Sequence, residues 1–274
     1  MRILEHGDPA GTPALYFHGT PSSAREAHWL DAAAKRHGVR VVSFDRRSSV
    51  GSSLADVGRA AAGIADGLGL DSYATVGFSA GAGFALAAAH VDPARVSAVH
   101  LAGGVVDAHD LSGVRAFMFS AAARAPRVVQ PLVGAALRLN LHGLDKRLDD
   151  PRAAARWFFK GPAKGAQIAA VEAYVAASRP EDLRLQLLDL AEAVRRPATV
   201  VADLVAYGRG PGFDVGSIET PVEIWHGVAD PAAPVSAARA VAAALPNARL
   251  HLFDGEGHFV LHSHGDEVAA AISG

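Results

Sequence analysis

Three short segments carry side chains that could act on one another. Ser79 stands in VGFSAGAGFALAAAH (76–90), with glycine two positions to either side. Such a segment reads in two ways. It can be a tight strand-to-helix turn in which any small polar residue serves as N-cap. It can also be a G-x-S-x-G elbow, in which Gly77 and Gly81 let strand and helix approach so closely that the serine oxygen is lifted clear of the backbone. A serine hydroxyl is a poor nucleophile until a base takes its proton, and that base needs a third group to orient it. An active Ser79 therefore requires a histidine and a carboxylate from elsewhere. LFDGEGHFV (252–260) offers His258, and WHGVADPAAPV (225–235) offers Asp230. Asp107, after GGVV, is a second candidate for the acid, whereas Asp254, His18 and His226 read as turn, loop-organising and strand-end residues.

These side chains need a framework that brings them to one place. Apolar runs at 14–19, 39–45, 72–78, 96–104, 221–227 and 248–255 read as strands. Between and after them, 24–37, 54–69, 80–91, 235–245 and 263–273 read as helices. Strand alternating with helix implies a parallel sheet with right-handed crossovers and helices on both faces. In such a sheet, ligands bind at the carboxyl ends of the strands, where Ser79, Asp230 and His258 would all sit.

Residues 107–217 depart from the alternation. They show little strand signal and five helical stretches: VRAFMFSAAARA, QPLVGAALRLNL, PRAAARWFFKGP, AQIAAVEAYVAAS and EDLRLQLLDLAEAVRR. Prolines at 126, 131, 151, 162, 180 and 197 punctuate them as starts and stops. An all-helical block inside an α/β chain reads as an insertion covering the sheet's carboxyl edge. Residues 111–217 hold 15 Lys and Arg against 10 Asp and Glu, a balance of +5 that leaves −7 for the remainder. Solvent-facing arginines account for that asymmetry; a functional basic lid would instead favour an anionic substrate.

Composition narrows the function classes. At 274 residues, half of them hydrophobic, the chain can bury a substantial core. Its net charge of −2 suggests neither nucleic acid nor an anionic membrane as partner. Cysteine is absent, which removes disulfides and thiolate chemistry. The 13 histidines are scattered, and the pair His262 and His264 lacks carboxylates at ligand spacing, so no metal or other cofactor is expected. With no long apolar run, and an N-terminus that does not read as a signal peptide, a cytoplasmic protein acting on a small molecule is the expectation.

Taken together the motifs resemble those of the α/β-hydrolase superfamily over essentially the whole chain. GFSAG resembles the elbow, GVADPAAPV the acid loop of form G-x-x-D-x-x-x-P, and DGEGHF the histidine loop. FHGTP (17–21) resembles the HG-x oxyanion loop, and HGDPAGTPALYFHG its run-in. The order Ser, Asp, His also fits the family. The resemblance implies a mostly parallel sheet flanked by helices, with a core of 1–106 and 218–274 and a helical cap of 107–217. An attacked carbonyl needs preorganised N–H donors for its developing charge. The Ala80 amide at a helix N-terminus is one candidate, and the resemblance implies the Thr20 amide as the other. The Thr20 hydroxyl could add a third hydrogen bond.

Two departures stand out. FDRRSSVGSS (44–53) lies where relatives often show D-R-P-G-x-G-x-S, with Arg47, Ser48 and Val50 in place of Pro and two Gly. The resemblance also implies that the sequence opens on the family's second strand, with the usual first strand expected to be missing or very short. An open sheet edge could pair with a second copy, which makes a homodimer an expectation.

Serine at position 79 argues against relatives that use an aspartate nucleophile. What remains is acyl transfer to water, of the carboxylesterase, thioesterase, lactonase or amidase kind, through Ser79, His258 and Asp230. The fold also admits cofactor-free carbon–carbon hydrolysis, cyclisation or other non-hydrolytic chemistry, or a ligand-binding pseudoenzyme. The expected substrate is small and apolar or aromatic, met by Phe78, Phe117, Trp157, Phe158 and Phe259.

Overall fold

The computed structural model describes residues 2–46, 51–111, 113–161 and 163–274. Among these residues seven short strands, β1 (Ile3–Gly7), β2 (Thr12–Phe17), β3 (Val39–Phe44), β4 (Tyr73–Phe78), β5 (Val96–Ala102), β6 (Val222–Gly227) and β7 (Ala248–Phe253), form one sheet. Its order is β1-β3-β2-β4-β5-β6-β7. All neighbours are parallel except β1, which lies antiparallel on β3. Strand β4 is buried at every position. That is the signature of a central parallel strand covered on both faces, and it explains why TVGF is continuously apolar. β1 and β7 are the two edges. The sequence ILEHG of β1 is too short and polar to stand out as an apolar run; the family resemblance alone points to a strand here, at the start of the chain.

Core helices α1 (Asp31–Arg36), α2 (Leu54–Gly67), α3 (Gly81–Val91), α10 (Val235–Ala244), α11 (Val260–Ser263) and α12 (Gly265–Ser273) flank the sheet. The helix expected over 24–37 is divided: residues Ala24–Leu30 form a 3-10 turn, capped by the Ser23 side chain on the Arg25 amide, before α1 begins.

Among the described residues, six α-helices separate β5 from β6 as an inserted cap: α4 (Gly113–Arg124), α5 (Pro126–Asp145), α6 (Pro151–Lys160), α7 (Ala166–Ala177), α8 (Pro180–Val194) and α9 (Pro197–Gly208). Pro126, Pro151, Pro180 and Pro197 each open a helix, where the missing N–H costs no bond. Pro131 lies inside α5 and does not stop it.

Helix α9 is the one absent from the five stretches read in the sequence. Every residue from Val200 to Tyr207 is buried, so its sequence has no polar stripe to betray a helical period. The cap is packed in two parts. Leu183 and Leu187 of α8 and Val171 and Val175 of α7 join one core layer with β2, β3 and α12. Ala122 of α4 and Val201, Leu204 and Val205 of α9 form a small cluster of their own. No helix among the described residues is long and apolar enough to cross a membrane.

Candidate active site

Ser79 sits at the turn from β4 into α3. Its φ is 54°, and among the described residues it is the one non-glycine with positive φ. The flanking glycines are a steric requirement. A Cβ on Gly77 would come within 2.5 Å of the Gly81 carbonyl oxygen, and one on Gly81 would collide with the Phe17 carbonyl. The Ser79 amide is tied to the Ala102 carbonyl of β5 at 2.9 Å. The turn is therefore held by its own glycines and by a neighbouring strand.

His258 and Asp230 come from the loops after β7 and β6. His258 Nε2 lies 3.0 Å from Ser79 Oγ, and His258 Nδ1 lies 2.8 Å from Asp230 Oδ2. The other oxygen, Asp230 Oδ1, accepts the amides of Ala232 at 2.6 Å and Ala233 at 2.9 Å. Two backbone donors thus hold a fully buried carboxylate and leave one oxygen facing the imidazole. With Nδ1–H donated to the acid, Nε2 is free to accept the serine proton.

Asp107 does not meet this histidine; it caps a short 3-10 turn and contacts His109 at 2.6 Å. His226 Nε2 bonds the Ala233 carbonyl at 3.1 Å, and burial lowers its pKa below the ordinary value.

Thr20, on the loop after β2, and Ala80, at the start of α3, line the same recess as Ser79 and His258. The expected third bond from Thr20 is corrected by the structure. Its hydroxyl donates to Asp203 Oδ2 at 2.5 Å, away from the serine.

A cavity of about 210 Å³ opens on Ser79 between core and cap. Trp29, Phe78 and Phe259 of the core face Phe158, Phe159 and Tyr174 of the cap across it. The rings interlock: Trp29 and Phe78 meet edge-on at 5.1 Å, and Tyr174 stacks on Phe259 at 4.1 Å. Trp157 and Phe117 are not brought here. Trp157 packs against Gly143 beneath Arg147 on the cap surface, and Phe117 is 71 % exposed on α4. Among the described residues lining the cavity there is no Lys or Arg, while Glu26, Asp189 and Glu256 are present. Three of the cap's cations are paired within the cap: Arg156 and Lys160 with Glu172, and Arg179 with Asp182.

Residues 12–265 match the family model for the alpha/beta hydrolase fold. The chain belongs to that family. Comparison of the sequence with curated proteins gives no match. Solved structures that resemble this α/β-hydrolase include an alpha/beta hydrolase fold protein from Nakamurella multipartita, with 20 % identity and a TM-score of 0.72 over 99 % of this chain and 94 % of that one. A thermophilic esterase from Thermogutta terrifontis has 17 % identity and a TM-score of 0.69, covering 99 % and 90 %. A bromoperoxidase from Bacillus anthracis has 22 % identity and a TM-score of 0.65, covering 98 % and 92 %. At such identities the likeness is one of fold.

Sequence reading overlooks a set of buried polar groups around the site of this α/β-hydrolase. Glu26 accepts the Gly19 amide at 2.7 Å and the Tyr16 hydroxyl at 3.0 Å. Burial pushes its carboxyl up to about 7, against the hydrogen bonds from Ser22 and Gly19. Asp189 of α8 accepts the Ser22 hydroxyl at 2.7 Å, the Ser23 amide at 3.2 Å and the Ser23 hydroxyl. Arg46, in the atypical loop, reaches under residues 18–20 to Asp203 of α9 at 2.8 Å. The loop positions Arg47, Ser48 and Val50 lie outside the described residues. The one sequence signal for Asp203 is a lone carboxylate in the apolar run VVADLVAY.

Proposed function

We propose that the protein is a serine hydrolase of carboxylesterase type, cleaving an ester, thioester or lactone whose acyl part is small, neutral and apolar or aromatic. The observation that carries the reading is the unbroken chain from Ser79 Oγ to His258 at 3.0 Å and on to Asp230 at 2.8 Å, with the serine on a sterically fixed turn.

Ser79 Oγ attacks the carbonyl carbon as its proton passes to His258 Nε2. Asp230 keeps the imidazole in the required tautomer and balances its charge once protonated. The carbonyl oxygen, now negative, is met by the amides of Thr20 and Ala80. Collapse of the tetrahedral species breaks the bond to the leaving group, which takes the proton from His258 and departs as an alcohol, thiol or, in a lactone, the freed hydroxyl. Water then attacks the acyl-Ser79 ester, delivering its proton to His258, and the acid is released with Ser79 regenerated. The aromatic cavity favours an apolar acyl group, and its carboxylates, with no cation among the described lining residues, disfavour an anionic one.

Labelling with a fluorophosphonate, read by intact mass, tests this directly. A single adduct on the wild type that vanishes in Ser79→Ala, with turnover of neutral aryl and alkyl esters, is the expected result. Folded wild-type protein that takes no adduct and turns over no ester, thioester or lactone overturns the reading.

A further inference from the structure

We propose that cap helix α9 sets the geometry of the oxyanion site, with Asp203 acting through Arg46 and Thr20 on one side and Tyr207 acting on the first turn of α3 on the other. This rests on the serine-hydrolase reading above.

A peptide group is planar, with its C=O and N–H pointing in opposite directions. The Thr20 N–H shares its plane with the Gly19 carbonyl, so whatever grips that oxygen aims the N–H. Two donors grip it: His18 Nδ1 at 2.7 Å and the Arg46 guanidinium at 3.1 Å. Burial and the nearby Arg46 hold His18 well below its ordinary pKa, so its ring is neutral and Nδ1 carries the donated proton. The guanidinium also donates to the His18 carbonyl and, at 2.9 Å, to the Thr20 hydroxyl. A cation on the carbonyl end polarises the whole peptide group and makes its N–H a stronger donor.

Arg46 cannot hold this position alone. Its side chain is fully buried, and an unpaired buried guanidinium is strongly unfavourable. The Phe84 ring lies 4.5 Å from it, and Asp203, buried as well, supplies the counter-charge. The Thr20 hydroxyl closes the set by donating to the same Asp203 oxygen. A core loop, the oxyanion loop and a cap helix therefore meet in one three-way contact.

One helical turn further along, on the same face of α9, stands Tyr207. Its buried hydroxyl donates to the Ala80 carbonyl and accepts the Gly83 amide at 2.9 Å. Gly83 N–H is one of the donors a helix N-terminus leaves without an internal partner. A Cβ on Gly83 would lie 2.6 Å from the tyrosine oxygen, so glycine is required for the approach. The i, i+4 pair of α9 thus holds both loops that carry the proposed donors, and a shift of this helix would misalign the two together.

Thr20→Val, Tyr207→Phe and Asp203→Asn test the assignment, with Thr20→Ser as the conservative control. A loosened donor acts only on the transition state, so kcat and kcat/KM should fall together by about 10- to 100-fold, less than the effect of deleting a donor outright. KM should stay within about threefold, and Thr20→Ser should recover most of the rate that Thr20→Val loses. Amide hydrogen exchange of peptides covering 17–23 should quicken in Asp203→Asn and Thr20→Val, and of those covering 79–84 in Tyr207→Phe. Melting temperatures of Thr20→Val and Tyr207→Phe identify a variant that fails through unfolding. Wild-type kcat and wild-type exchange in folded Thr20→Val and Tyr207→Phe overturn the proposal while leaving the hydrolase reading intact. A wild type without fluorophosphonate adduct or turnover overturns that reading, and the proposal with it.

Discussion

The loops that carry the triad and the loop that carries Thr20 are held in different ways. Ser79 is shaped by Gly77 and Gly81, with one backbone tie to Ala102 of the neighbouring strand, and Asp230 is held by the amides of Ala232 and Ala233 close by in sequence. The stretch from His18 to Ser23 is held instead by buried side chains, most of them far away in sequence: Glu26 nearby, Arg46 in the core, and Asp189 and Asp203 in the cap. The proposed reacting groups are thus positioned mainly by backbone geometry of the core, and the groups that would receive charge largely by long-range buried polar contacts. On the proposed reading, local devices should tolerate a changed cap and the Thr20 loop should not, so that seating of the cap and stabilisation of an oxyanion would become one property.

Removing the reacting groups gives the largest effects. Ser79→Ala should lower kcat by about 10⁶-fold with little change in melting temperature, since a small residue still fits the elbow. Asp230→Asn should cost about 10⁴-fold, because an amide no longer selects the Nδ1–H tautomer. The α9 variants should fall well below these, at about 10- to 100-fold, and that gap is the sharpest measure of the contrast between the two regions.

Next come the cavity walls. Phe159→Ala should raise KM for aryl-acyl esters by about tenfold, the equivalent of roughly 1.4 kcal/mol of lost ring contact, while Trp157→Ala, on the cap surface, should leave KM unchanged. Steady-state kinetics on one aryl-acyl and one acetyl ester separates the two.

The last effect falls on stability rather than on rate, and it depends on pH. Glu26 keeps its proton up to about 7 in the folded chain, against 4.5 for an ordinary glutamate. Folding therefore takes up a proton between those values, and the contribution is complete below about 4.5 and gone above about 7. Relative to Glu26→Gln, the wild type should lose roughly 3 kcal/mol of stability across that window. Denaturant titrations at pH 4.5, 6 and 8 read the difference, and parallel curves for the two proteins would count against it.

Much of this was legible because it is local. Strands at 39–45, 72–78 and 221–227 are short, mainly apolar runs, and GFSAG, GVADPAAPV and DGEGHF carry their own turn chemistry. Helix α9 was not legible, because burial on all sides erases the periodicity that sequence reading uses. The aromatic residues divide for a related reason. Phe158 and Trp157 are neighbours in sequence, yet successive residues on a helix point about 100° apart, and only one faces the cavity. The basic balance of the cap likewise said nothing of its inner face, since charge counts do not record direction.

The sequence by itself determined the alternating α/β architecture and the segments that hold Ser79, Asp230 and His258, because turn sterics and strand burial act over a few residues. Only the tertiary structure decided which carboxylate meets His258, which rings line the cavity, and that Asp203 and Tyr207 of one unremarked helix grip the loops of Thr20 and Ala80. Those outcomes depend on which buried donor finds which acceptor across more than a hundred residues of chain, and low-dielectric surroundings make each such pairing matter without leaving a local pattern to read.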